Sequence, residues 1–239
     1  MTILRWWILL IVAGPLGAQT LPRLAPGGAG GGQWAVPLEI LLWMTLLALL
    51  PAAVVSVTPF LRLLVVLHFL RQALGTQSTP SNQTLIGLAL FLTLVLMQPT
   101  GQRVYEQAVE PLERGEITQK QALERAAGPL KQFLSRYVRE KDAALFVELH
   151  DAPRPRNPGE LGLAVLIPAY ILSELRIGFQ IGAVLFLPFL IIDLLVASIT
   201  LSLGMLQLPP VMISAPFKIL LFVLVDGWNL VVGSLVKSF

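Results

Sequence analysis

The chain has 239 residues, of which 55% are hydrophobic and 13% charged, with a mean hydropathy of +0.75; this lies outside the composition of water-soluble domains and makes lipid part of its solvent. Its formal charge of +3 comes without any run of Lys and Arg interleaved with aromatics, which excludes a nucleic-acid footprint. The absence of cysteine excludes a disulfide framework, thiolate metal ligation and a cysteine nucleophile.

Residues 1–18 read as a signal peptide, with Arg5 as the positive n-region, Trp6 to Ala13 as the apolar h-region and Gly14 to Ala18 as a small-residue cleavage zone. That apolar stretch is too short to cross ~30 Å of hydrocarbon. Residues 19–37, with Gly27-Gly28-Ala29-Gly30-Gly31-Gly32, read as a flexible tether. Apolar segments follow at 38–57, 59–71, 84–98, 161–173, 177–203 and 211–236. They are expected to be helical, because backbone exposed to lipid must hydrogen-bond within its own segment. The expected fold class is therefore all-α, an integral membrane protein of helical hairpins. A first membrane-associated half covers 38–98 and a second covers 161–239.

Thr84 to Met97, bounded by Asn82-Gln83 and Gln98-Pro99, falls below the ~18 residues of a spanning helix and reads as a candidate buried core helix. Pro51, Pro59, Pro168 and Pro188 interrupt other segments, and each removes a backbone donor that neighbouring protein must help to compensate. With the N-terminus outside, the first span delivers Arg62 and Arg71 to the cytoplasmic side, in agreement with the positive-inside rule. The next segment returns residues 99–160 to the periplasm, and a four-span count leaves both chain ends there.

Residues 99–160 hold ten basic and ten acidic side chains, 20 of the 31 charges in the chain, and form the soluble helical periplasmic region. Thr118-x-x-Gln121 is a capping box that opens a helix, and Gly128-Pro129 is expected to stop it. Leu130, Phe133, Leu134, Tyr137 and Val138 then recur at helical spacing as one apolar stripe, which must dock on something. Pro153 to Gly159 read as an extended hinge before the second membrane half.

No catalytic or phosphate-binding motif occurs. His68 lies in an apolar run and His150 at the end of the soluble region, neither with a second His or a carboxylate at ligand spacing, so no metal or cofactor is expected. Ionisable groups at membrane depth carry more information, because each needs a partner or a function. Glu174, Asp193, Lys218 and Asp226 are the clear cases. Lys218 and Asp226 are eight residues apart, about 12 Å along a helix, and so must find partners on other helices or other chains. Glu174, Gly178 and Gly182 form an i, i+4, i+8 stripe that permits close backbone approach, within one chain or between subunits. Gly204, Met205, Leu206, Gln207 and Leu208 join two long apolar segments without a charge, either as a simple helix hairpin or as an apolar loop lining a constriction.

The residues resemble those of the FliP/SctR family of type III secretion export-apparatus proteins. The resemblance rests on Leu70 to Thr76 with Pro80, Asn82 and Gln83, on Leu85 to Thr93, on Pro168 to Leu175, on Phe179 to Gly182 and on Leu187 to Asp193. Pro216-Phe217-Lys218, Phe222 to Trp228 and Gly233-Ser234-Leu235 complete it, so that coverage runs from about residue 40 to the C-terminus. It implies a non-enzymatic inner-membrane subunit of the flagellar basal body that forms a homo-oligomer and assembles with FliQ and FliR, beside other export-apparatus membrane proteins. Unfolded flagellar proteins would pass through that gate, whose hairpin-like subunits stack in a helical assembly raised largely out of the bilayer. The signal sequence and the Gly75-Thr76-Gln77 region favour the flagellar branch over an injectisome, SctR-type subunit. Flagellar relatives tend to carry consecutive methionines after the Gly of the 204–210 loop as a pore gasket, whereas here Met205 is followed by Leu206 and Gln207. The membrane-depth charges and the small-residue stripes, Glu174, Gly178, Gly182, Asp193, Lys218 and Asp226, read as assembly contacts and not as catalysts. A self-contained transporter is disfavoured by the lack of an evident internal repeat. An intramembrane hydrolase lacks a nucleophile and a base.

Overall fold

The computed structural model describes residues 38–76, 78–150, 161–205 and 209–239. The signal peptide and tether, the hinge at 153–159 and Leu206 to Leu208 lie outside the described residues. The chain divides into two units, 1–42 and 43–239; of the first, only residues 38–42, the opening of helix α1 (Leu38–Val57), are described.

Every described element is helical, as the apolar segments require. After α1 come α2 (Phe60–Ala73) and α3 (Asn82–Val104), which continues through a π-helical turn at Tyr105–Val109 into the short α4 (Glu110–Glu113). The charged region supplies α5 (Gln119–Tyr137) and α6 (Glu140–Leu149). The apolar C-terminal part of the chain supplies α7 (Leu163–Ser202), α8 (Pro210–Leu224) and α9 (Gly227–Lys237). Three stretches among the described residues are long and apolar enough to cross a membrane: Ile40–Val57, Asn82–Glu113 and Leu163–Ser202. The α8–α9 pair, bent by 67°, makes a fourth if it counts as one span.

Several boundaries differ from those expected of the sequence. The segment at 84–98 does not end at Gln98-Pro99: α3 runs on through Pro99, and with the π-turn and α4 makes a stretch of 32 residues, long enough to span. The segments at 161–173 and 177–203 are one 40-residue helix that passes through Pro168 and Pro188. At 1.5 Å per residue it is about 60 Å long, roughly twice the hydrocarbon thickness. Gly128-Pro129 does not stop α5 either, because Pro129 is buried and the stripe beyond it needs helical spacing to reach its partner. An interior proline costs about 3 kcal/mol; of those the helices pass through here, Pro129 is buried and Pro168 half-buried, whereas Pro99 and Pro188 are exposed. The last segment, in contrast, is broken. Asp226 adopts a left-handed conformation (φ 53°) between α8 and α9, and a Cβ on Gly227 would sit 2.2 Å from the Phe222 ring.

The capping box at the start of α5 is formed in both directions between Thr118 and Gln121. The α5 stripe docks on the opening turns of α7: Leu134 and Val138 join Ala143 and Val147 of α6 and Val165, Leu166, Ala169 and Tyr170 of α7 in one core. The first quarter of α7 is therefore covered by α5 and α6, and its apolar character there serves protein packing. A second core is built on α2, with Leu63, Val66, Leu67 and Leu70 against Leu85 and Ala89 of α3, Phe189 of α7, Phe222 of α8 and Leu235 of α9. Outside these cores the apolar surface is open. Ile40 to Leu50 in α1 and Leu187 to Leu201 in α7 leave most of their large side chains exposed, as is suitable for lipid or sister subunits.

Candidate functional site

The charged groups buried among these helices fall into three clusters on α7. The first begins with Arg62 in the opening turn of α2, which points at α7. Its Nε donates to Glu174 Oε2 at 2.9 Å and its Nη2 to Glu174 Oε1 at 2.5 Å, a bidentate pair in which neither residue is more than 2% exposed. The remaining nitrogen, Nη1, donates to the carbonyl and hydroxyl oxygens of Ser238, both at 3.2 Å, and the Phe239 ring centroid lies 3.9 Å from the guanidinium carbon. Tyr137 of α5 donates its hydroxyl to the Phe239 carbonyl. One guanidinium thus ties α2, α7 and the chain's last residues together, and Tyr137 adds α5.

Arg62 was expected on the cytoplasmic side together with Arg71; it is buried and paired, 5.7 Å from the Tyr137 ring of α5, and so is not a free charge for the positive-inside count.

The glycine stripe explains how Arg62 reaches Glu174. A Cβ on Gly178 would lie 3.1 Å from Val65, and one on Gly182 would lie 2.5 Å from Cγ of Phe69. Residue numbers rise together along the two helices, so α2 and α7 run parallel here at close approach. Phe69 packs edge-on to Phe179 with centroids 5.3 Å apart. Gly182→Ala is therefore expected to displace the Phe69 ring and cost about 1–3 kcal/mol. Thermal unfolding of the purified chain in detergent, with Gly233→Ala as a control at a position where nothing lies within 4 Å, measures the difference.

The second cluster clamps the other end of α2. Lys218 of α8, 1% exposed, places Nζ 2.5 Å from Asp193 Oδ2 and 3.1 Å from the carbonyl of Ala73, the last residue of α2. Ser214, one turn before Lys218, donates to Asp193 Oδ1 at 2.5 Å. The ammonium thus satisfies a carbonyl that a helix terminus would otherwise leave without a donor. In the third cluster, Ser173 donates to Asp142 Oδ2 at 2.8 Å and accepts from the Arg139 backbone N–H at 3.1 Å, joining α6 to α7; Arg176 lies 3.7 Å from Asp142.

Asp226 joins none of these clusters. It is exposed at the α8–α9 break, where its carboxylate accepts from the Asn229 amide at 3.1 Å. The α7 end that leads into the apolar loop is a Schellman turn: Met205 N–H bonds to Thr200 O and Gly204 N–H to Leu201 O, both at 3.0 Å, with Gly204 at φ +75°. Arg62, Asp142, Ser173 and Ser214 were not among the expected site residues. Arg62 carried a signal all the same, since it lies within an apolar run while Glu174, Asp193 and Asp226 all sought a cation.

No group of three or more His, Cys, Asp or Glu that could hold a metal occurs among the described residues. His68 donates Nδ1–H to Leu64 O at 2.9 Å, and His150 Nδ1 lies 3.1 Å from Phe146 O. Each buried carboxylate is occupied by a cation or a hydroxyl, so the clusters hold helices at fixed spacing and offer no free nucleophile and base.

A family model described as the FliP family matches residues 43–235. The flagellar biosynthetic protein FliP of Pectobacterium carotovorum is 47% identical over 233 residues, covering 97% of this chain and 90% of that protein. Its counterpart in Caulobacter vibrioides is 49% identical over 212 residues, covering 89% and 80%, and that of Bacillus subtilis is 48% identical over 201 residues, covering 84% and 91%.

Proposed function

The chain belongs to the FliP family, and from that membership we propose that it works in the bacterial inner membrane as a subunit of the flagellar type III export gate, assembling with copies of itself and with FliQ and FliR. It is a structural component of a channel and not an enzyme. The observation that carries this reading is the arrangement of interior charge. Arg62–Glu174 and Lys218–Asp193 fix both ends of α2 against the second half of the chain, producing a rigid unit with wide open apolar faces on α1, α7 and α8. A rigid unit with unpartnered apolar faces suits stacking with sister subunits around a path for unfolded polypeptide.

In this reading Glu174, Gly178, Gly182, Asp193 and Lys218 contribute to assembly by setting the shape each subunit presents, while Asp226, exposed at the α8–α9 break, is the one of the six whose carboxylate is open to a neighbour. Gly204, Met205, Leu206, Gln207 and Leu208 are the residues assigned to the constriction: the Schellman turn at Gly204 ends α7, and the sequence that follows it carries no charge. Leu206 and Gln207 in place of further methionines keep that loop uncharged. Deleting residues 205–207 is expected to leave the intact complex on a native gel at wild-type amounts and to raise ion conductance across the inner membrane. Unchanged conductance would remove the loop from the seal. Co-purification of FliQ- and FliR-like proteins with the tagged chain tests the partners, and recovery of the chain without them would count against the gate.

A further inference from the structure

Among the described cations of the apolar helices that form no ion pair, Arg103 and Lys237 are exposed and Arg71 is not. Arg62 and Lys218 pair with carboxylates and Arg176 lies beside Asp142, whereas Arg71, half-buried in the last turn of α2, has no carboxylate within ion-pair distance among the described residues. Its Nη1 is held in place by Asn82 Oδ1 at 2.6 Å and the Pro80 carbonyl at 3.3 Å, so the guanidinium is fixed in position by neutral groups while its charge is left unmet. It lines an open cavity of about 410 Å³ together with His68, Gln72, Gly75, Thr76 and Val211. None of these residues is acidic, and residues 58–83 contain no acid at all. A fixed guanidinium in a cavity without a counter-charge is complementary to an anion, and its planar fork suits phosphate oxygens.

The cavity also sits at a suitable level. Asn82, which holds Arg71, is the first residue of the candidate span that begins α3, and the apolar run starts just beyond it at Leu85. On the far side Val211 and Met212 at the start of α8 are exposed apolar groups. An anion at Arg71 is therefore at the border between polar and apolar surface, where lipid phosphates lie. His68 adds a second preference. Since Nδ1 must donate to the Leu64 carbonyl, Nε2 of the neutral ring is an acceptor, which suits a headgroup bearing hydroxyls.

We propose that this cavity is a phosphate-binding site in which Arg71 holds the phosphate oxygens and His68 accepts from a hydroxyl beside them, the group being the phosphodiester of an anionic lipid or free phosphate. The proposal does not depend on the export reading, and its readout is binding alone.

The test is native mass spectrometry of the full chain in detergent, titrated with phosphatidylglycerol, with phosphatidylcholine and with inorganic phosphate as a competitor. One phosphatidylglycerol is expected to be retained per chain, with phosphatidylcholine held about tenfold more weakly. Arg71→Gln is expected to weaken phosphatidylglycerol by about tenfold, Arg71→Lys to retain most of the binding, and Lys237→Gln, which removes an exposed cation at the end of α9, to leave it unchanged. Val211→Glu, at an exposed position on the cavity wall, sets a carboxylate against the site and is expected to abolish retention without disturbing the core. Competition by inorganic phosphate would assign the site to the anion itself, and its absence would assign it to the lipid headgroup; either supports the phosphate site. Equal retention by Arg71→Gln or Val211→Glu, equal affinity for phosphatidylcholine, or a subunit carboxylate cross-linked to this cavity in the assembled complex would overturn it.

Discussion

Glu174→Ala is expected to destabilise the chain by about 3–5 kcal/mol, because it strands a guanidinium that is 2% exposed. The acceptors left to Arg62, the Ser238 carbonyl and hydroxyl oxygens at 3.2 Å, are neutral and engage only Nη1, so Nε and Nη2 lose their partners together. The fall is read as a lower apparent Tm of the purified chain and as less intact complex on a native gel. A second variant separates the worth of the pair from the penalty of breaking it. Replacing both residues, Arg62→Leu with Glu174→Leu, removes the stranded charge and is expected to recover much of the loss, since a buried pair exchanged for apolar groups of similar size is often close to neutral. If the double variant were as unstable as Glu174→Ala alone, the charge account of this site would be wrong. Complex formation is then informative in its own right. A double variant that folds but does not oligomerise would place part of Glu174's role at the subunit interface.

Asp193→Ala is expected to have an effect of similar size at the opposite end of α2. Lys218 is 1% exposed, and without Asp193 its ammonium keeps the Ala73 carbonyl as its remaining protein acceptor. The cost is again about 3–5 kcal/mol, but it falls on different elements. Lys218 and Ser214 are the polar ties of α8 to α7 and to the end of α2, beside the packing of Phe222 on Phe189. Amide hydrogen exchange should therefore quicken in α8 while the region around Arg62 keeps its protection. Uniform loss of protection across both clusters would show that they are one cooperative unit instead of two separate clamps. Lys218→Met combined with Asp193→Leu is expected to restore protection in α8.

Much of this was legible in the residues. The all-α class followed from six apolar segments and the rule that lipid-exposed backbone bonds within itself, and α1 matches its segment at both ends. The capping box at Thr118 and the docking stripe from Leu130 to Val138 were readable because both depend on local spacing. Glu174, Asp193 and Lys218 stood out because charge in an apolar run needs a partner. Which partner it would be was not legible. Arg62 and Glu174 are 112 positions apart, and their pairing depends on the parallel packing of α2 on α7 through Gly178 and Gly182, a tertiary fact. Proline misled the boundaries at Pro99 and Pro129, where the helix continues through the ring, and the charges of Glu174 and Arg176 misled the one between 173 and 177, where α7 runs on unbroken. The break that did occur falls at Asp226-Gly227, where the signal was a small residue pressed against Phe222.

The most direct test of the gate assignment is export itself. Cells of the source bacterium lacking this chain should secrete no flagellar subunits into the medium and build no filament, and an intact copy should restore both. Deletion cells that export flagellar subunits at the normal rate would contradict the account.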